Sequence, residues 1–475
     1  MSDVKARLVA GVDSSTQSTK VEVRDLLNGA VVVRGSAPHT PTTPPRSEQD
    51  PQVWWGAFEA AWAAAGSPQV EAISVAGQQH GMVVLDEGCE VIRPAKLWND
   101  TETAADAGWL LKQLPGGAAD WAAAVGSVPV AAFTITKLSW LHRNETDNWA
   151  RIAHVVLPHD WMTFRLTGEL VTDRGDVSGT GYWSPSSGEY RWDILSIIDN
   201  DRDWSTVVPR VASPTEVVGE WKGAKVACGT GDNMAAALGL GLTQGVAVVS
   251  LGTSGTAYAR SERSTADVSG AVAGFADATG GFLPLVCTLN ATKVSDAIAR
   301  LLGVGHDEFD RLALAAPAGA GGLTVLPYFD GERTPNLPKS SGLLAGIRSD
   351  VSREQLARAA VEGVVCGLLD ALDALRAEAP VSAVRLVGGG ARSAAYRQVV
   401  AELCDLPVML ADADEAVATG ACVQAAAVAL GITHAEVTDR WTLGVGTPLP
   451  AATGDPAGVR ARYAELRSST YPSTA

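Results

Sequence analysis

No two cysteines in this 475-residue chain stand as C-x-x-C, and the six present (Cys89, Cys228, Cys287, Cys366, Cys404 and Cys422) are scattered. That argues against a zinc site or a disulfide framework and fits free thiols in a reducing cytosol. No apolar run approaches the ~20 residues of a membrane span. The first residues, "MSDVKARLVAG", contain no apolar core of a secretory signal. Positive charge is scarce: 37 Lys and Arg against 53 Asp and Glu give a formal net charge of −16. An acidic surface argues against binding to nucleic acid or to anionic membranes. A bound phosphate must therefore be held locally, by backbone N–H groups, a lysine or a metal. The chain also lacks G-x-x-x-x-G-K-[ST], which excludes a Walker-type loop at the motif level.

What is present reads as α/β. Strand-like runs ("ARLVAGVD", "AVVVRG", "VEAISVAG") alternate with a Trp- and Ala-rich helical stretch, "DPQVWWGAFEAAWAAAG". Asp50 before Pro51 has the form of a helix N-cap. The polar, Gly-containing segment 219–233 suggests a boundary, giving domains 1–222 and 223–442 and a Gly- and Pro-rich tail, 443–475, that closes on a helix "VRARYAELR". A weak internal repeat relates "VAGVDSSTQSTKVEV" (9–23) to "AVVSLGTSGTAYAR" (247–260). Both read as strand, small hydroxyl-rich turn, strand. A duplicated α/β domain with a cleft between its halves is expected; two ordinary hairpins would give the same pattern.

The turns carry the chemistry. Small residues let a backbone approach an anion, and their N–H groups and hydroxyls donate to phosphate oxygens. In "DSSTQSTK" (13–20), Ser15, Thr16 and Lys20 suit a phosphate, while Asp13 repels one directly but holds Mg²⁺, usually through water. "LGTSG" (251–255) offers Gly252 and Thr253 as a second turn. In "GTGDNMAAALGLG" (229–241), Asp232 and Asn233 precede a small-residue helix, as caps or as a general base kept ionised by the helix N-terminus. "AGQQHGMVVLD" places Gln79 and His80 after a strand, as hydrogen-bond partners for a polyol or as ordinary residues of the fold. "KLWNDTET" offers Trp98 to stack on a sugar, with Asn99 and Asp100 to reach hydroxyls, or a loop with one buried Trp. "VRLVGGGARSAAYRQVVAEL" (384–403) is a strand–glycine turn–helix element of the nucleotide-binding kind.

In order along nearly the whole chain, these segments resemble the FGGY carbohydrate kinases, and among them the xylulose kinases. The resemblance rests on "EQDPQVWW", "QQHG", "LWND", "KLSWL", "LPHDWMTFRLTGELVTDRGDVSGTGYW", "GTGDN", "GTSG", "LPYFDGERTP" and "VGGGARS". It implies two actin-like, ribonuclease-H-like ATPase domains with the substrates in the cleft. It implies Mg-ATP-dependent phosphorylation of D-xylulose at O5. By position, Asp232 matches the base and Asp13 the acid that positions Mg²⁺. Gln79 and His80 match the sugar pair, with Asn233 and Asp100 as further contacts. Gly252 and Thr253 match the second phosphate loop; Gly388, Gly389 and Gly390, with Ser393, match the adenosine side. A homodimer in the cytoplasm is expected for this class. The chain departs from the family in three places: Ser15 for a common Gly, Gln79 for a common Met, and Thr101-Glu102 for a common Gly-Arg. Another ketose or a polyol such as glycerol is the alternative substrate. An ATP-switched binding protein of actin type also fits the two phosphate turns, but not His80, Trp98 and Asp232.

Overall fold

The computed structural model describes residues 7–412, 414–450, 455 and 457–472. The first six residues of the expected N-terminal domain, residue 413 of the second, and parts of the expected tail (451–454, 456, 473–475) lie outside the described residues. In chain order, the elements used below begin with strands β1 (Leu8–Ser14), β2 (Ser18–Asp25) and β3 (Val31–Pro38). Helix α1 (Pro51–Ala64) and β4 (Ala72–Gly77) come next, followed by α2 (Pro158–Thr167) and α3 (Arg174–Val177). After β5 (Val217–Trp221), β6 (Ala224–Ala227) and β7 (Thr230–Gly231) comes α4 (Asp232–Gly239). Then come β8 (Gly245–Leu251), β9 (Gly255–Ala259), β10 (Phe282–Thr288), α5 (Arg353–Glu378), β11 (Val381–Val387), α6 (Ala394–Leu403) and β12 (Val408–Ala411). The last are α7 (Ala416–Leu430), β13 (Gly446–Pro448) and α8 (Val459–Thr470).

Contacts divide the chain into two compact units, each discontinuous in sequence. The first takes 7–242, 262–283 and 414–444; the second takes 243–261, 284–412 and the described part of 445–475. These limits differ from the divisions at 222 and 442 read from the sequence. The segment 219–233 is not a linker, because β6 and β7 both pair in parallel with β4. Helix α4, with Asp232, therefore belongs to the first unit.

In the first unit the strands lie in the order β5-β6-β4-β1-β2-β3. β1, β2 and β3 form an antiparallel meander. β1–β4 and β4–β6 are parallel, and β5–β6 is antiparallel. The second unit repeats the scheme. β8, β9 and β10 form the meander, β8–β11 and β11–β12 are parallel, and β12–β13 is antiparallel. The repeat between 9–23 and 247–260 is thus the first hairpin of each sheet, and the likeness extends to the parallel pairs and the antiparallel edge that follow.

Local chemistry explains the elements. Asp50 caps α1 by accepting from the Gln52 N–H, and Pro51 takes the first helical position, where no N–H is needed. Trp54, Phe58, Ala61 and Trp62 recur at helical spacing and are buried with β1, β2 and β4 residues in one core. Helix α7 is apolar on every side because it is a core helix, buried from Ala418 to Val428. Its one long polar side chain, Gln424, is satisfied: it accepts from Ser74 Oγ at 2.9 Å and donates to the Gly229 carbonyl at 3.0 Å. Small residues let backbones meet here. A methyl group on Gly420 would run into the Ala235 carbonyl oxygen of α4, one on Gly239 into that of Ala416, and one on Gly11 into that of Ala418. Among the described residues no single helix is long and apolar enough to cross a membrane, and the six cysteines are free thiols.

Candidate active site

Three chain ends of the first sheet supply the acidic centre: the end of β1 gives Asp13, the loop after β4 gives Gln79 and His80, and β7 leads into Asp232. Asp13 is buried. Loss of solvent raises its carboxyl to about 6, against the lowering effects of the Ser15 hydroxyl, which donates to it, and of Lys20. Asp232 is the first residue of α4, whose N-cap is Gly231. Its carboxyl is pushed up to about 7, first by loss of solvent and then by the charge of Asp13, outweighing hydrogen bonds from the Asn233 backbone and side chain. The expectation that the helix N-terminus keeps this acid ionised is corrected accordingly. Loss of solvent and a second nearby carboxylate both act against the charge there.

Asn233 Nδ2 donates to Asp232 Oδ1 at 3.0 Å and to Gln79 Oε1 at 2.7 Å. A chain of side chains therefore runs from Gln79 to the acid. His80 has φ +64°, in the left-handed region, where a residue other than Gly persists only when its surroundings hold it. Its ring packs against Phe133 and Phe275, at centroid distances of 5.3 and 5.2 Å. Trp98 is 37% exposed, and its indole N–H donates to Thr16 Oγ1 at 2.9 Å, tying the "LWND" loop to the hydroxyl-rich turn.

Two expected contacts are engaged elsewhere. Asp100 is fully buried and accepts from the Ser47 and Glu102 N–H groups, each at 3.0 Å. It also faces Lys96 Nζ at 3.2 Å, so it fixes its loop rather than offering a carboxylate to a sugar. The Lys96 ammonium, also paired with Glu48 and Glu102 and set over the Trp140 ring, is the internal cation of this acidic group. Lys20, half-exposed on β2, donates to Glu415 Oε2 at 2.6 Å instead of standing free for a phosphate.

In the second unit, Gly252, Thr253, Gly389, Gly390 and Ser393 line one cleft of about 570 Å³, together with Asp296, His306, Asp307, Asp310 and Arg392. Gly388 sits at φ +92°, and a Cβ there would meet the Leu251 carbonyl oxygen at 2.6 Å, so only glycine suits this position. A Cβ on Gly389 would meet nothing, which leaves backbone open for a ligand's approach. Ser393 is the N-cap of α6: Tyr396 N–H donates to its hydroxyl at 3.1 Å, and that hydroxyl donates to Asp310 Oδ1 at 2.6 Å. Glycine turns suit phosphates; the carboxylates around them suit hydroxyl and amino groups of a nucleoside.

Sequence reasoning assigned no role to His159, Asp160, Asp173 and Asp176, which are all buried near Asp232 and His80. The signal was available: five ionisable residues, Arg174 among them, within two short blocks, "LPHDW" and "TDRGD".

Comparison with known proteins gives matches over nearly the whole chain. The FGGY family of carbohydrate kinases matches with its N-terminal domain over residues 8–253 and with its C-terminal domain over residues 247–429. A xylulose kinase of Streptomyces coelicolor is 49% identical over 470 residues, covering 96% of this chain and 95% of that protein. One of Streptomyces rubiginosus is 47% identical over 468 residues, with 96% and 95% covered. The crystal structure of xylulose kinase from Bifidobacterium adolescentis superposes with a TM-score of 0.87 at 39% identity, covering 97% of this chain and 99% of that one.

Proposed function

The chain belongs to the FGGY family of carbohydrate kinases, an ATP-dependent sugar kinase of actin-like fold, and from that premise we propose that it phosphorylates D-xylulose at O5 with Asp232 as base. The observation that carries the assignment of the base is the Gln79–Asn233–Asp232 hydrogen-bond chain, which joins a polar sugar-side group to a carboxylate raised to about 7. A general base works best with a pKa near the operating pH. An ATP-switched binding protein has no use for that chain, and the relatives are kinases.

In the proposed reaction the sugar hydroxyl attacks the γ-phosphorus in line. A P–O bond forms as the bond to the β-phosphate oxygen breaks, ADP leaves, and the hydroxyl proton passes to Asp232. A sugar hydroxyl is too weak an acid to ionise first, so proton transfer accompanies attack. His80 and Asn233 hold the sugar, and Trp98 covers an apolar face. Gly252, Thr253 and Gly388 to Gly390 cradle phosphates, and the carboxylates of the second unit's cleft receive the nucleoside's hydroxyl and amino donors. The residues present fit Mg²⁺: the charge of Asp13 opposes ionisation of Asp232, a cation beside them would relieve that repulsion, and Asp13 would hold the ion through water. When bound, Mg²⁺ neutralises charge on the phosphates. The same reading includes a cytoplasmic homodimer, supported by the family likeness and checked by sedimentation velocity.

The test is ADP release with Mg-ATP and a panel of D-xylulose, D-ribulose, L-ribulose, L-xylulose, xylitol, glycerol and D-gluconate against a no-sugar blank. A selective response to D-xylulose is expected. One observation favours a second reading, another ketose or a polyol: Gln79 brings a polar amide where many relatives by resemblance have Met. A selective response to a different sugar would support it. On the nucleotide side, Ser393→Ala removes the cap of α6 and the Asp310 bond. It is expected to lower stability by about 1 kcal/mol and to raise KM for ATP while leaving KM for the sugar unchanged. Thermal melts and initial rates at varied ATP check both parts.

A further inference from the structure

Behind the acidic centre lies a cluster that the proposed mechanism does not use. His159, on α2, is fully buried. Its Nε2 lies 3.2 Å from Asp160 Oδ1, 3.2 Å from Asp173 Oδ1 and 3.5 Å from Asp176 Oδ2. Burial works against a charge on the ring, but the three acids outweigh it and hold its pKa up at about 9, so the ring is a cation at neutral pH. The other ionisable groups facing the cluster are Tyr182, Tyr190, Cys228, Asp232 and Arg174. Burial keeps the two phenols and the thiol neutral. The imidazolium is thus the cation that reaches all three carboxylates; the Arg174 guanidinium acts on Asp173 as well but is paired with Asp277.

The outer oxygens of the cage are attached to the site. Asp173 Oδ2 accepts from Thr230 Oγ1 at 2.6 Å, on β7, two residues before Asp232. Asp173 also accepts from the N–H groups of Gly175 and Asp176, which fixes α3. Asp176 Oδ1 accepts from the His80 N–H at 3.4 Å, and Thr134 Oγ1 donates to the His80 carbonyl at 3.2 Å. The two bonds grip the residue whose backbone is in the left-handed region. A methyl on Gly179 would run into the His80 ring, so the ring has no room to move on that side.

We infer that His159 is a positioning residue for phosphoryl transfer: its buried cation holds Asp173 and Asp176 where they fix, respectively, the strand that presents Asp232 and the backbone of His80. The inference rests on the reading of Asp232 as base and His80 as sugar contact. A buried carboxylate stripped of the cation it touches takes up a proton or swings to a new partner, and either change loosens Thr230 or His80 without touching the nucleotide cleft's own residues.

The experiment compares His159→Gln with His159→Lys, the second keeping a cation. The Gln variant is expected to lose kcat by about tenfold or more, with KM for ATP unchanged; the Lys variant is expected to regain most of that loss. A folded Gln variant with wild-type kcat, or Gln and Lys variants equally impaired, would overturn the role. If the Gln variant does not fold, Thr230→Val and Thr230→Ser decide it. Val removes the hydroxyl at nearly constant volume and is expected to lower kcat, and Ser to restore it; a fully active Val variant overturns the role. Asp232→Asn, measured alongside, separates the two readings. Full activity there defeats the base assignment, whereas an inactive Asp232→Asn beside unaffected His159 variants defeats only the positioning role.

Discussion

Asp232→Asn lowers kcat by about a thousandfold, within the range for loss of a general base, keeps nucleotide affinity, and raises the melting temperature of the free protein. The amide is nearly isosteric, so Asn233 and Gln79 keep their places, but it takes no proton from the sugar hydroxyl. The residues of the nucleotide cleft are unchanged. The stability gain follows from the sign of the shift. Asp232 is raised from 3.8 to about 7, by loss of solvent and then by Asp13. The folded protein therefore binds this proton more tightly than the unfolded chain, and stability falls as pH rises from near 4 to near 7. Above that window the destabilisation is complete; below it, absent. The substitution should thus raise the melting temperature at pH 8 and leave it nearly unchanged at pH 4. In the wild-type free enzyme, kcat/KM should climb with pH through about 7 as the base ionises. Sugar-dependent ADP release, nucleotide titration and calorimetry at the two pH values check the three parts. Retained turnover would end the assignment of the base, and a lower melting temperature at pH 8 would show that the carboxylate stabilises the fold.

Gly420→Ala is expected to destabilise the first unit by about 3 kcal/mol, at the upper end for forcing a methyl into a packed interior. Helix propensity alone predicts the opposite sign, since Ala is favoured over Gly inside a helix by about 1 kcal/mol. The new methyl points at the Ala235 carbonyl oxygen, backbone on backbone, where no side chain can rotate aside. Gly56→Ala provides the control: that glycine is exposed in α1, with nothing near its Cβ position, and the same substitution should stabilise. Because α4 starts at Asp232, displacing Ala235 also moves the base, so kcat should fall in whatever Gly420→Ala protein remains folded. Denaturant titrations of both variants test the opposite signs. A neutral Gly420→Ala would mean that the α4–α7 crossing is looser than its glycines require.

Much of this was legible in the residues, because turns and caps are local. Asp50-Pro51 announces the start of α1, the two hydroxyl- and glycine-rich turns mark the first hairpin of each sheet, and "GGG" stands where β11 gives way to the glycine turn before α6. What escaped was long-range. Nothing near residues 222 or 442 shows that β6 and β7 continue a sheet begun at residue 8, or that α7 returns to it. Asp100 reads like any exposed loop acid until Lys96 and two backbone N–H groups close on it. Lys20 reads as a phosphate ligand until Glu415, far along the chain, is beside it. The raised carboxyl of Asp232 reflects first its loss of solvent and then the charge of Asp13, more than two hundred positions away; helix-dipole reasoning considers only the nearest turn and includes neither.

The scattered membership of the first unit also orders events in time. Its acids, Asp13 and Asp232, leave the ribosome in the first half of synthesis, together with every strand of their sheet. The helix against which β1 and α4 are seated, 416–430, is among the last segments translated. Until it emerges, Val9, Ala72 and Ala227, fully buried in the finished protein against α7, have no cover. At roughly 5–20 residues per second, the nascent chain carries that apolar face unsealed for many seconds. Catalytic competence therefore arrives near the end of translation, and a prematurely terminated chain that lacks 416–430 would retain both acids yet present a hydrophobic surface to chaperones and proteases.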